Sequence, residues 1–157
     1  MASFLYDSFK RDVMKASVDL DDGTQWVCLL KNTYTTQTAA TVGQATHTAY
    51  SDISTYEVTG GGTTGYTAGG VSCGTAGGTW NVVSVDTTNH LGYWDAAYDP
   101  QWTSAYITAR YAVVYKSVAT SAALSLIVAC YDFTSDQTAT NGTFTIQWST
   151  AGLIKLS

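Results

Sequence analysis

Proline, charge and cysteine are all scarce in this chain. One proline stands among 157 residues, so its turns must rest on glycine, asparagine and aspartate, not on fixed proline φ angles. Charged side chains make up 12% of the residues, seven basic against twelve acidic, for a net charge of -5. That is about half the usual share, and it leaves no basic footprint for a phosphate backbone, so nucleic acid is not expected as a partner. Long apolar runs are missing too. The longest, Leu124 to Phe133, is interrupted by Ser125 and Asp132 and falls well short of the ~20 residues that cross a bilayer, so no membrane partner is expected. The opening Met1 to Asp7 has no basic stretch leading into an apolar one, and a cytoplasmic site of synthesis is the expectation.

Cys28, Cys73 and Cys130 are odd in number and widely spaced, and Cys28 and Cys130 sit inside apolar runs. They read as buried free thiols, not as a disulfide framework. A metal site needs clustered ligands, whereas His47 and His90 lie in polar surroundings with no Cys-x-x-Cys nearby. No metal or other cofactor is expected.

Hydrophobic residues are abundant at 45%, and aromatics reach 13%, with eleven Tyr and five Trp against four Phe. This length and composition suit one domain, residues 1–157, with its own core. Eight of the formal charges crowd between Asp7 and Asp22, where Leu5, Phe9 and Val13 recur every four residues behind Ser3 as a candidate N-cap. This spacing predicts a short amphipathic helix within an N-terminal arm, residues 1–20. From Thr24 onward β-branched, aromatic and Thr residues alternate with Gly, Asn and Asp, the pattern of strands and turns. Strands are predicted at Gln25 to Leu30, Trp80 to Asp86, His90 to Trp94, Ile107 to Lys116, Leu124 to Phe133, Thr143 to Trp148 and Leu153 to Leu156. Asn141-Gly142 reads as a hairpin turn joining Thr143–Trp148 to Leu124–Phe133 across the loop Thr134 to Thr140. The fold class is therefore all-β, an antiparallel β-sandwich, with a jelly roll among the arrangements it admits. Nine of fourteen glycines fall between Gly60 and Gly78, which marks residues 60–78 as a long glycine-rich loop holding one short strand near Tyr66 to Cys73.

Motif matches of catalytic type lack their context. Gly60-Gly61-Gly62-Thr63-Thr64-Gly65 fits G-x-G-x-x-G, but more glycine follows it where a dinucleotide site needs a helix. Gly70-Val71-Ser72-Cys73-Gly74 fits G-x-S-x-G, and Ser72, Asp86 and His90 can be written in triad order, yet no α/β pattern surrounds them. An esterase using Ser72 and His90 is the least favoured reading. Asp21-Asp22 beside Gly23 reads as a turn, not an acid/base pair, and the Asn141-Gly142-Thr143 sequon is already explained by turn geometry. Tyr93, Trp94, Tyr98 and Trp102 gather around Asp95, Asp99 and Pro100. For each ring the core is favoured over a contact surface, but so many polar-tipped rings imply that some reach an interface.

Taken in order, several segments carry a resemblance. Val18-Asp19-Leu20-Asp21-Asp22-Gly23-Thr24-Gln25-Trp26-Val27-Cys28-Leu29-Leu30 is followed by Tyr50-Ser51-Asp52-Ile53 and Gly65-Tyr66-Thr67-Ala68-Gly69-Gly70. Then come Ile107-Thr108-Ala109-Arg110-Tyr111-Ala112-Val113-Val114-Tyr115-Lys116, Tyr131-Asp132-Phe133, Phe144-Thr145-Ile146-Gln147-Trp148 and Gly152-Leu153-Ile154-Lys155-Leu156. This order resembles small structural proteins of tailed-bacteriophage virions. The resemblance implies a non-enzymatic component of the virion, assembled in the host cytoplasm. By analogy with small β proteins of phage heads, it would be a capsid decoration or cement protein, a homotrimer or homodimer clamping neighbouring major capsid subunits. A tail or head-fibre attachment module is the alternative. The contact residues expected on this reading are Phe4, Leu5, Phe9, Tyr66, Trp94, Tyr98 and Trp102, with Met1 to Lys15 reaching a neighbouring subunit.

Overall fold

The computed structural model describes residues 3–34, 42–59, 65–73, 82–96, 98–149 and 152–156. Eight strands form two antiparallel sheets, which bears out the all-β, sandwich-like expectation. They are β1 (Ser3–Leu5), β2 (Gln25–Leu30), β3 (Val71–Ser72), β4 (Val82–Asp86), β5 (Leu91–Asp95), β6 (Gln101–Lys116), β7 (Ile127–Thr145) and β8 (Ile154–Leu156). Helix α1 spans Asp7–Met14 and α2 spans Val42–Thr46, with single helical turns at Tyr50–Asp52, Ser54–Tyr56 and Ala122–Leu124. The larger sheet has the order β1-β7-β6-β2-β3 and the smaller β4-β5-β8. These described strands do not by themselves trace a jelly roll.

The core follows from the sequence of β6. Its first half alternates, with Trp102, Ala105, Ile107 and Ala109 buried between exposed neighbours, and then Tyr111 to Tyr115 are all buried. A strand buried on both faces needs cover on both. Registered neighbours share a face, so Cys28, Val113 and Cys130 form one row across β2, β6 and β7. Tyr6 and Tyr34 are buried in the same core cluster, and their hydroxyls share a hydrogen bond at 2.9 Å. The next row, with Ala112 and Tyr131, belongs to the other face, where the Tyr131 hydroxyl donates to the Leu153 carbonyl at 3.1 Å at the entry to β8. Trp94 on β5 is 1% exposed, and its indole N–H donates to the Leu20 carbonyl at 2.7 Å.

Four expectations are corrected. Residues 3–5 form a strand instead of the first helical turn: Ser3, Phe4 and Leu5 pair with Tyr131, Cys130 and Ala129 of β7. The helix starts at Asp7, with Tyr6 and not Ser3 at its N-cap, and buries Phe9 completely. The arm is thus stitched into its own domain. The hairpin at Asn141-Gly142 does not exist, because residues 127–145 are one long strand that pairs with β6 along its length, interrupted by register shifts. Asn141 does have a positive φ of 55°, but this conformation makes a bulge: Tyr106 faces Thr140, Ala105 faces Gly142, and Asn141 is the extra residue. Trp148 lies beyond the strand that was to contain it, and the strand near Tyr66 shortens to Val71–Ser72.

Candidate interaction site

Strand β7 is longer than the strand beside it on one edge. Strand β6 accompanies it from Ile127 to Thr145, whereas β1 covers only Ala129 to Tyr131 on the opposite edge. From Asp132 to Thr145 that edge carries no strand among the described residues. Such an edge presents backbone N–H and C=O groups ready to pair with another extended chain.

Two irregularities on β7 itself shape it, and a third register shift lies on β6 between Trp102 and Ala105. Besides the Asn141 bulge, residues 133–136 are inserted between the pairs Tyr111↔Asp132 and Ala109↔Gln137. Thr134 takes a φ of 69° there. Asp132 fixes the insertion by accepting from the Thr134 N–H at 2.7 Å and the Arg110 Nε at 2.6 Å. Between the insertion and Phe144–Gln147 lies a groove of about 440 Å³. Phe133 and Phe144, with ring centroids 6.3 Å apart, and Ile146 supply its apolar lining. Gln137, Thr138 and Thr143 add amide and hydroxyl groups, and no charged side chain lines it.

The other polar constellation is internal. Glu57, 5% exposed, accepts hydrogen bonds from the hydroxyl of Tyr50, from the Tyr66 hydroxyl at 2.6 Å and from the Gly69 N–H at 2.7 Å. Tyr66 oxygen in turn accepts the Leu29 N–H at 2.9 Å, and Tyr115, stacked on Tyr50 at 4.9 Å, donates to the Gly69 carbonyl at 2.7 Å. Burial first, then the nearby Cys28 thiol and Glu57 carboxylate, raises the Tyr66 phenol above its ordinary range, so it stays protonated and keeps donating. This cage fastens residues 65–70 and the helical turns at 50–56 onto β2. It gives a buried carboxylate a full set of donors, which is a structural role.

The expected contact residues divide accordingly. Phe9, Tyr66, Trp94 and Trp102 are core residues with at most 4% of their surface exposed, so they are corrected from contact to core: large rings fill a core that contains few long aliphatics. Phe4 and Leu5 are half-buried against their own sheet, and Tyr98 is half-buried. Ser72 lies in regular strand β3 opposite Trp26, without the strained φ of a nucleophile elbow. His90 is exposed in the β4–β5 turn with a φ of 55°. Asp86 does not serve it. The carboxylate accepts instead from Thr88 N–H at 2.8 Å, Asn89 N–H at 3.1 Å and the Asn89 amide at 2.6 Å, capping the turn. Asp22 is engaged by Thr24, Gln25 and Lys116, as a turn residue would be. Most of the G-x-G-x-x-G match, Trp80 and residues 74–78 of the glycine-rich loop lie outside the described residues.

Among the described residues, no group of three or more His, Cys, Asp or Glu side chains is placed to hold a metal ion. Sequence reasoning missed the groove because Phe133 and Phe144 were placed on two separate strands. The only signal was the excess of Thr and Gln between them, which a loop explains equally well. Comparisons of the chain with protein-family models, curated proteins and solved structures find no match.

Proposed function

We propose that this protein is a non-catalytic structural subunit of a tailed-phage virion, which binds the assembled head by accepting an extended segment of a major capsid subunit along the free edge of β7. The observation that carries this reading is the edge from Asp132 to Thr145, which pairs with no strand among the described residues on that side, and its groove without charged lining. Backbone pairing supplies affinity in strand addition, and side-chain pockets supply register. The chain has a net charge of -5, yet the groove has no charge to pair, so an uncharged segment is the one it accepts without stranding an ion. The order of segments that resembles virion proteins supports the same reading. Val82, Val83 and Val85, all more than half exposed on edge strand β4, offer a surface for the dimer or trimer that such a role employs.

The mechanism is burial of surface that exists only after assembly. A ligand that binds the assembled shell and not its unassembled subunits stabilises the shell by mass action, and many modest contacts add through multivalency. The test is the copy number per purified particle, relative to the major capsid protein, by quantitative mass spectrometry. A number comparable to the capsid subunits is expected, and Thr143→Arg, which puts a charge in the groove, should abolish it while leaving the circular dichroism unchanged. A number typical of a tail part, or undiminished incorporation of Thr143→Arg, would overturn the proposal.

A further inference from the structure

A second groove, of about 340 Å³, lies where the chain leaves β2 beside the outward face of β6. Val58 on its wall is a core residue and Asn32 and Asp136 tie two segments together, but the side chains of Tyr106 and Lys31 have no such task among the described residues. Tyr106 and Thr108 point outward because Ala105, Ile107 and Ala109 between and beside them are buried. Tyr106 is 50% exposed on β6, opposite the Asn141 bulge, and its side chain makes no ring stack or hydrogen bond among the described residues. Thr108 and Thr138 set two hydroxyls side by side at 3.2 Å across the β6–β7 pair. From the β7 insertion Asp136 accepts the Asn32 amide N–H on Oδ2 at 2.9 Å, a bond joining positions 104 residues apart. Its Oδ1 has no hydrogen-bond partner among the described residues, and Lys31, also on the wall, makes no ion pair there.

We infer that this groove is a binding site for a neutral saccharide, stacked on Tyr106 and hydrogen-bonded through its hydroxyls to Asp136, Asn32 and Lys31. The chemistry selects that class. An accessible aromatic ring offers a flat apolar face to the C–H side of a pyranose, a carboxylate oxygen takes sugar hydroxyl protons, and an ammonium and an amide fill the other half of each hydroxyl's bonding capacity. One ammonium and one carboxylate cancel, so neither a phosphate nor a cationic ligand finds net attraction, and the overall charge of -5 further disfavours an anion. The volume lies at the small end of ligand pockets, of the size of one or two sugar rings. Asn32 and Asp136 arrive already paired, so little side-chain ordering remains to be done on binding.

The groove takes Asp136 from the same β7 segment that carries the proposed capsid edge, and the test keeps the two apart by reading sugar binding and Tyr106, which lies on β6. The full-length chain is titrated with glucose, galactose, N-acetylglucosamine and their short oligomers, followed by nuclear magnetic resonance shifts and calorimetry. Saturable shifts are expected at Tyr106, Thr108, Asn32 and Asp136 with at least one neutral sugar. Tyr106→Ala should weaken binding about tenfold, the loss of one stacking contact, with an unchanged unfolding temperature, and Tyr106→Phe should restore most of it. Absence of shifts at these residues with every neutral sugar, shifts confined to another face, or binding unaffected by Tyr106→Ala would each overturn the inference, as would binding restricted to acidic sugars.

Discussion

At the scale of single residues, positions where backbone meets backbone are the least forgiving. Gly70 has a φ of 75°, and a Cβ there would stand 1.8 Å from the Val27 carbonyl oxygen, a group that cannot move without breaking β2. Gly70→Ala is expected to cost about 3 kcal/mol or more, combining left-handed strain with the clash. Gly142→Ala is the control: nothing lies within 4 Å of its Cβ, and a change under about 1 kcal/mol is expected. Urea unfolding of the two variants measures the difference, and equal stability would show that the 65–70 segment does not pack on β2 as described. Glu57→Ala should be comparably harmful, about 3–5 kcal/mol, because it leaves the Tyr50 and Tyr66 hydroxyls and the Gly69 N–H without their acceptor. The three thiols are equally constrained. Cys28 and Cys130 are separated by Val113 in their row, two strand spacings or roughly 10 Å, too far for a disulfide. Burial raises all three pKa values, that of Cys130 up to about 12. Folded protein should therefore resist thiol reagents, and three thiols per chain should react once it unfolds.

At the scale of elements, the sequence was most informative where a strand is buried on both faces and least informative where the chain bends. Strand β2 was legible to the residue, because Trp26 to Leu30 is an uninterrupted apolar run between turn residues. The long β6–β7 pair was only half legible. Asn141-Gly142 carries the positive-φ chemistry of a hairpin, but a bulge uses the same chemistry, and only the strand opposite decides between them. The segment Thr134 to Thr140 reads as a loop because its Thr, Ser and Gln face water on an edge that carries no strand among the described residues. The free edge that forms the candidate site was therefore hidden by its own polarity. The N-terminal arm shows the converse. Its period-four pattern is real in Phe9 and Val13, but Leu5 belongs to β1 and pairs with Ala129 of β7, far along the chain. Deleting residues 1–15 should consequently unfold or severely destabilise the chain, since it removes the fully buried Tyr6 and Phe9 and each ring contributes about 3–5 kcal/mol. A truncated chain with an unchanged unfolding temperature would restore the reading of a free arm.

At the scale of the whole molecule, the half-buried His47 and the exposed Asp52 beside it set the acid side of a pH window. His47 accepts or donates at Nδ1 with Tyr34 at 3.2 Å, and burial lowers its pKa below 6.5, with Asp52 opposing. The unfolded chain then binds the extra proton more readily, so stability present above about pH 7 falls as pH drops through the lowered value. His47→Gln should flatten the unfolding midpoint between pH 7 and 5. Asp52 adds a second acid step. Burial alone would raise its pKa, but hydrogen bonds from Thr48 and Ala49 bring it below 3.8, so its contribution is lost only under stronger acid.

The alkaline limit is the more telling, because it reads the interior as a whole. Tyr6, Tyr34, Tyr50, Tyr66, Tyr115 and Tyr131 all have phenol pKa values raised above 10.0, each chiefly by burial. A raised folded pKa means that the unfolded chain loses these protons first, so their contribution is complete below about pH 10 and declines as pH rises above it. Because all six rings lie in the core cluster or pack against it, opening the core exposes them together. Absorbance at 295 nm, followed together with circular dichroism during a titration from pH 8 to 13, should show these tyrosines ionising only in the step that removes the β signal. A smooth ionisation of all eleven tyrosines near pH 10, with the β signal intact, would mean that the rings do not form the closed core on which both proposed surfaces are mounted.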